Sequence, residues 1–224
     1  MGRRLAYWRR WRRYRDLTMI SRKPYVDNLY VAEYGLKESG LRRGAYVECG
    51  TWRGGMSFGI METCPDLVEC HFFDSFEGLP EPGALDGERA QSGMGTDVLL
   101  HDDNSASYDE FLRNVEPFRN GRKIEVHRGW FEETLPGFRS EHPIAILRLD
   151  GDWYDSTMTI LRHLFDQVAD GGIILIDDYY HWEGCSRAVH DFLSERKATE
   201  RIEESPNHRV AYLVRQRPGS DSPH

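Results

Sequence analysis

Asp150, Asp177 and Asp178 are the residues of this chain best suited to do chemistry. Asp150 follows the run Ile144–Leu149, and Asp177 and Asp178 follow Ile174-Leu175-Ile176, with Asp177 lying 27 positions after Asp150. Both runs read as buried parallel strands that end in acid. If the two strands are neighbours, three carboxylates meet at one edge of a sheet. So close together they repel, and some must take up protons unless a cation neutralises them. A set of oxygen-only donors suits a hard ion such as Mg²⁺. Asp152 lies one residue outside the cluster. It is a candidate general base, which must reach its proton directly or through one water. The alternatives are a helix cap before Tyr154 or a group that supports the metal ligands.

A second group sits earlier. Val47-Glu48-Cys49-Gly50-Thr51-Trp52-Arg53-Gly54-Gly55 reads as a strand, a glycine-rich turn and the start of a helix that carries Ser57. Glycines let a backbone approach a ligand closely, and a helix start offers free N–H groups. The pattern Glu-x-Gly-x-x-x-Gly-Gly departs from the dinucleotide fingerprint Gly-x-Gly-x-x-Gly. An acid at the strand end with glycine two residues on suits S-adenosylmethionine, although a tight strand-to-helix turn would look the same. Asp74 and Ser75 end the next strand, 24 residues after Gly50. An acid there can take both hydroxyls of a ribose; the alternative is a turn-forming Asp. Trp130 and Phe131 follow the third strand, where side chains can flank an adenine. The cofactor candidates are therefore Glu48, Gly50, Thr51, Gly54, Gly55, Ser57, Asp74, Ser75, Trp130 and Phe131. His181 and Trp182 could face a sugar or a flat ring, or could pack the loops with Trp153 and Tyr154. Arg148 is out of place inside a central strand and could pair with a buried acid such as Glu48.

These residues need a scaffold that brings strand ends together. Apolar runs predict strands at 45–49, 70–74, 124–127, 144–149 and 172–176, with a late strand at 210–214. Helical spacing predicts helices at 25–40, 56–63, 108–118, 154–168 and 185–195, with a short one near Glu132. The alternation predicts an α/β fold: a mostly parallel, Rossmann-like sheet with helices on both faces. Ligands in such sheets bind beyond the carboxyl ends of the strands. Residues 78–104 hold five glycines and two prolines, and so long a loop predicts a lid. Residues 216–224 read as a disordered tail.

The chain has 224 residues, enough for one domain with a full core. It carries a net −8, yet residues 1–15 hold seven arginines and no acid, which leaves −15 on the rest. An acidic body excludes nucleic acid as the main partner. In residues 1–24, a basic arm, Tyr7, Trp11 and Tyr14 fall at helical spacing. That pattern suits peripheral contact with an anionic membrane, or packing on the domain or on a partner subunit. No stretch is long and apolar enough to span a bilayer. No apolar core follows the basic start, so a secretory signal is not expected and the cytoplasm is. Cys49, Cys64, Cys70 and Cys185 lack zinc-type spacing and read as free thiols.

Five blocks carry a resemblance. Tyr46-Val-Glu-Cys-Gly-Thr-Trp-Arg-Gly-Gly, Phe73-Asp-Ser-Phe-Glu-Gly-Leu-Pro, Gly129-Trp-Phe-Glu-Glu-Thr-Leu-Pro, Leu149-Asp-Gly-Asp-Trp-Tyr-Asp-Ser-Thr and Ile176-Asp-Asp-Tyr occur in this order across residues 25–215. Together they resemble the macrocin O-methyltransferase family. The resemblance implies a Rossmann-like class I methyltransferase domain, S-adenosylmethionine as donor and Mg²⁺ on Asp150, Asp177 and Asp178. It also implies Asp152 as base, the Glu48 turn and Asp74 as cofactor site, and a sugar hydroxyl on a glycosylated natural product or glycan as acceptor. A homo-oligomer is expected on the same ground. The layout is more distantly similar to catechol O-methyltransferase, whose base is a lysine at the position held here by Trp153. A phenol or catechol acceptor is therefore an alternative, as is a non-catalytic module that binds the cofactor or a sugar. The N-terminal region looks shorter than in the antibiotic-tailoring members, where it helps cover the site.

Overall fold

The computed structural model describes residues 2–41, 43–92 and 104–216. Its centre is a seven-stranded sheet of β1 (Ala45–Cys49), β2 (Glu69–Asp74), β3 (Lys123–Arg128), β4 (Ile144–Leu149), β5 (Val168–Ile176), β6 (Glu203–Glu204) and β7 (Ala211–Val214). The strand order is β3-β2-β1-β4-β5-β7-β6. The first five strands are parallel, and β7 runs antiparallel to both β5 and β6. The order reverses between β1 and β4, so a crevice opens where their carboxyl ends diverge.

The central strands are buried on both faces, which is why they read as continuous apolar runs. Alternate residues serve two cores. Val47, Leu147, Leu149, Ile174 and Ile176 pack toward α7 (Tyr154–Leu164) and α8 (Glu183–Glu195). Tyr46, Ile146, Ile173 and Leu175 pack toward α1 (Gly2–Tyr14), α2 (Arg22–Ser39) and α3 (Gly55–Thr63). The remaining helices are α4 (Gly87–Gln91), α5 (Tyr108–Val115) and α6 (Phe131–Thr134). The end of α2 falls at Gly40, whose φ of 68° caps the helix in the left-handed region.

The differences from the sequence reading are local. Helix α7 ends at Leu164, a 3₁₀ turn covers Phe165–Gln167, and β5 begins at Val168. The late strand is antiparallel and gains β6 as a partner, a short ladder no hydrophobic pattern announces. The 78–104 loop contains α4, and its residues 93–103 lie outside the described residues, as do 217–224 of the tail.

The basic arm forms α1 and lies on the domain. Tyr7 and Tyr14 are buried. Tyr7 Oη donates to Glu33 of α2, and Tyr14 Oη donates to Glu62 of α3 at 2.7 Å. Trp11 Nε1 donates to the Ile20 carbonyl at 3.3 Å. The aromatic face is thus turned to the protein, while Arg3, Arg4, Arg9, Arg12 and Arg15 face outward. All four cysteines are free and buried. Among the described residues no helix is long and apolar enough to cross a membrane.

Candidate active site

β4 and β5 are neighbours with Leu149 paired to Ile176, so Asp150, Asp177 and Asp178 emerge side by side. Each offers a carboxylate oxygen, and the three oxygens lie within 4.8 Å of one another. Asp150 and Asp177 are partly open to a cavity of about 1080 Å³ beyond the strand ends, and Asp178 is buried on its wall. Octahedral Mg²⁺ with bonds of about 2.0–2.1 Å spaces its ligands by about 3–4 Å, so the donor set fits a hard divalent ion.

Arg148 answers part of that charge. It is fully buried, and Nη1 lies 2.8 Å from Glu48 Oε1 and 2.7 Å from Asp150 Oδ2, while Nη2 lies 2.9 Å from Asp177 Oδ1. The Glu48 partner expected from sequence is present. One guanidinium against Glu48, Asp150, Asp152, Asp177 and Asp178 still leaves an excess of acid. Burial pushes Glu48 up to about 7, with Arg148 pulling the other way. Burial, then repulsion by Asp150, pushes Asp152 up to about 7. Burial and the three neighbouring acids raise Asp178 far above the usual carboxylate range. A site that disfavours its own ionised state is one that a divalent cation would relieve.

Asp152 has a left-handed backbone, with φ of 55°. Its N–H donates to Asp178 Oδ2 at 3.1 Å, and its Oδ1 accepts from Trp182 Nε1 at 2.8 Å. It does not cap α7. That role falls to Asp86, whose Oδ1 accepts from the Tyr154 N–H at 2.6 Å and whose Oδ2 accepts from the Gly83 N–H at 2.7 Å. Trp153 Nε1 donates to the Pro80 carbonyl at 2.7 Å. The first part of the 78–104 loop is thereby tied across the cavity mouth. Asp86 was missed in sequence because it looks like any loop acid; its partner is 68 residues away.

The cofactor candidates divide into two groups. Glu48, Gly50, Thr51, Asp74, Ser75, Trp130 and Phe131 line the cavity. Gly54, Gly55 and Ser57 stand behind the turn. A Cβ at Gly54 would meet the Phe58 and Phe111 rings, one at Gly55 would meet the Leu17 carbonyl, and Ser57 Oγ donates to Glu48. These three shape the wall instead of forming its surface. Gly50 has φ of 89°, and a Cβ there would fall 1.8 Å from the Asp150 carbonyl oxygen. The positive φ and the missing Cβ thus let the turn pass close to the chain just after β4. Asp74 organises the turn: Oδ2 accepts from the Thr51 N–H at 2.7 Å and the Trp52 N–H at 2.8 Å, and Oδ1 accepts from Phe76 N–H at 2.7 Å. Ser75 Oγ donates to the Gly78 carbonyl at 3.2 Å.

His181 and Trp182 also face the cavity, and Trp182 meets Trp153 edge-on at 4.9 Å, so Trp182 both packs and lines. Residues 17–21, between α1 and α2, also line the cavity. That segment carries no chemical signature, and only its packing brings it there.

A parallel sheet with its crevice at the β1/β4 switch, glycine-turned after β1 and acid-lined after β4 and β5, defines a Rossmann-like class I methyltransferase. The sequence pattern of the Macrocin-O-methyltransferase (TylF) family matches residues 11–213, and the chain belongs to that family of O-methyltransferases. It is 32% identical over 195 residues to the 8-demethyl-8-(2,3-dimethoxy-alpha-L-rhamnosyl)-tetracenomycin-C 4'-O-methyltransferase of Streptomyces olivaceus, covering 84% of this chain and 71% of that one. It is 32% identical over 198 residues to the mycinamicin III 3''-O-methyltransferase of Micromonospora griseorubida, with 84% and 74% covered. The solved structure of the O-methyltransferase NovP superposes with a TM-score of 0.67 at 26% identity, over 86% of this chain and 81% of that one. The enzyme class implies S-adenosylmethionine as the methyl donor.

Proposed function

We propose that this O-methyltransferase transfers the methyl group of S-adenosylmethionine to a sugar hydroxyl of a glycosylated small molecule, with Mg²⁺ held by Asp150, Asp177 and Asp178. The observation that carries the reading is the convergence of those three carboxylates on a cavity that Asp74, Trp130 and Phe131 also line. The names of two relatives, a rhamnosyl 4'-O- and a mycinamicin 3''-O-methyltransferase, favour a glycoside over a catechol. Trp153 stands where a catechol-type lysine base would be needed, which points the same way.

Mg²⁺, when bound, supplies positive charge that lowers the pKa of a coordinated hydroxyl. The chain's own residues do the rest. Asp152, beside the triad, accepts the hydroxyl proton as the oxygen attacks the methyl carbon and the carbon–sulfur bond breaks to release S-adenosylhomocysteine; Trp182 fixes its carboxylate in place. Arg148 holds Asp150 and Asp177 in register. Asp74 would hold the ribose hydroxyls, and Trp130 and Phe131 would flank the adenine, all three lining the cavity. Alignment of oxygen, carbon and sulfur on one line contributes much of the rate, about 7–11 kcal/mol in well-oriented reactions. The loop around Pro80–Asp86 restricts water at the mouth. The reading includes association into a homodimer, for which the family resemblance is the support.

The test is calorimetry with S-adenosylhomocysteine and with Mg²⁺, followed by methyl transfer to a glycoside panel. Asp150→Asn should abolish Mg²⁺-dependent turnover and leave S-adenosylhomocysteine affinity intact, and Asp74→Ala should weaken S-adenosylhomocysteine binding. Identical behaviour of the two variants overturns the separation of sites. Turnover on catechols but not on glycosides overturns the acceptor.

A further inference from the structure

A second cluster lies on β2 and β3, away from the cavity. His71 pairs in register with Glu125, and Phe73 with His127, so His71, Glu125 and His127 share one face of the sheet at its β3 edge. His71 Nδ1 lies 3.0 Å from His127 Nε2 and 3.6 Å from Glu125 Oε2, and His127 Nε2 lies 3.9 Å from that same oxygen. The point equidistant from these three atoms is about 2 Å from each, which is the Zn–N and Zn–O bond length. We propose that His71, Glu125 and His127 form a second metal site, distinct from the acid triad and selective for a Zn²⁺-class ion.

Two features point past ordinary packing. The first is the group behind His71. Its Nε2 lies 2.6 Å from Glu69 Oε1, and Glu69 is fully buried. Glu69 also accepts from the N–H groups of Glu141 and His142, at 3.0 and 2.8 Å, and meets His142 Nδ1 at 3.0 Å. These donors hold it ionised. His71 therefore donates from Nε2 to this carboxylate, which leaves Nδ1 as the atom that faces the cluster. A carboxylate behind a histidine is the arrangement that orients and strengthens a metal-ligating imidazole. The second feature is the fixing of the other two donors. The His127 ring stacks on Phe73 at 4.1 Å, and Phe138 meets His71 edge-on at 4.7 Å. Lys123 Nζ binds Glu125 Oε1 at 3.0 Å and Glu141 Oε1 at 2.8 Å. Oε2 of Glu125 is left facing the imidazoles.

The donor set is two nitrogens and one oxygen, which suits zinc and not magnesium. His71 is buried and Glu125 and His127 are partly exposed, so water can fill the remaining position. An ion here would cross-link β3, the edge strand, to β2. Both strands end at the cavity wall, β2 at Asp74 and β3 just before Trp130, so occupancy would stiffen that wall. Without an ion, a proton on His127 Nε2 can fill the same gap by donating to His71 Nδ1, and this is the arrangement the experiment must distinguish.

The full chain, stripped with chelator and saturated with Mg²⁺ to fill the acid triad, is titrated with Zn²⁺ by calorimetry and with Co²⁺ by visible absorption. The expected result is one Zn²⁺ per chain and a Co²⁺ spectrum of low coordination number. Glu125→Gln, a change of nearly equal volume at a partly exposed position, and His127→Gln should each weaken Zn²⁺ binding at least tenfold, with thermal unfolding recorded on both. Asp150→Asn should leave it unchanged. Failure to bind Zn²⁺ at Mg²⁺ saturation overturns the proposal, as does stoichiometric binding that Glu125→Gln leaves unchanged.

Discussion

Arg148 and Glu48 face each other across β4 and β1 as a fully buried ion pair, 2.8 Å apart, with Asp150 and Asp177 on the same guanidinium. Burial works against the Arg148 charge, and the three acids more than offset it. Tyr46 and Ser57 complete the hydrogen bonds of Glu48. The pair therefore links the turn after β1 to the acids after β4 and β5, the two halves of the site.

Removing one partner of a buried pair leaves the other uncompensated, at a cost of about 3–5 kcal/mol. Arg148→Leu should lower stability by that order in denaturant unfolding. Adding Glu48→Gln should restore part of the loss, and a double-mutant cycle measures the coupling. Strict additivity of the two changes would show that they do not act as a pair.

Asp152 tests the assignment of the base. Asp152→Asn keeps the volume and removes the proton acceptor. Turnover should fall by about 10²–10⁴, the usual range for a general base, with Mg²⁺ affinity nearly unchanged. Trp182→Phe, which removes only the hydrogen bond that positions Asp152, should give a smaller fall. Wild-type turnover in Asp152→Asn would assign the residue to holding the Asp178 loop.

Asp86 caps α7 from a distant loop. Asp86→Ala should cost about 1–2 kcal/mol, as for other lost caps, and should speed amide exchange at Tyr154 and Gly83 together. Faster exchange at only one of the two would show that loop and helix are not joined through this carboxylate.

Glu69 predicts an acid limb. Its several hydrogen bonds overcome burial and hold its carboxyl near about 2, below the ordinary 4.5. A group whose folded pKa is depressed stabilises the fold above its unfolded pKa. The contribution is thus present above pH about 4.5 and is lost as pH falls toward about 2. Glu69→Gln should flatten the stability profile across that window, with about 2–3 kcal/mol of the wild-type slope removed. A profile of unchanged steepness would place the acid sensitivity elsewhere.

The sequence by itself determined that strands alternate with helices in a mostly parallel sheet and that acids stand at the strand ends; the order of the strands, with β4 beside β5, came from the tertiary structure. The acids were legible because a strand buried on both faces must be apolar throughout, so a charge at its end stands out. The free thiols were legible from the absence of metal-type cysteine spacing; Arg148 stood out as a cation in an apolar run, and the structure decided that Glu48 faces it. The tertiary structure alone decided which turn residues reach the cavity. Gly54, Gly55 and Ser57 fit a ligand-holding pattern, yet their nearest neighbours are Phe58, Leu17 and Glu48. It also decided that residues 17–21 wall the site, that Asp86 caps α7, and that His71, Glu125 and His127 converge. These depend on register between strands and on contacts across long stretches of chain. A one-dimensional pattern records the period of each element, but not the distance between side chains on different elements.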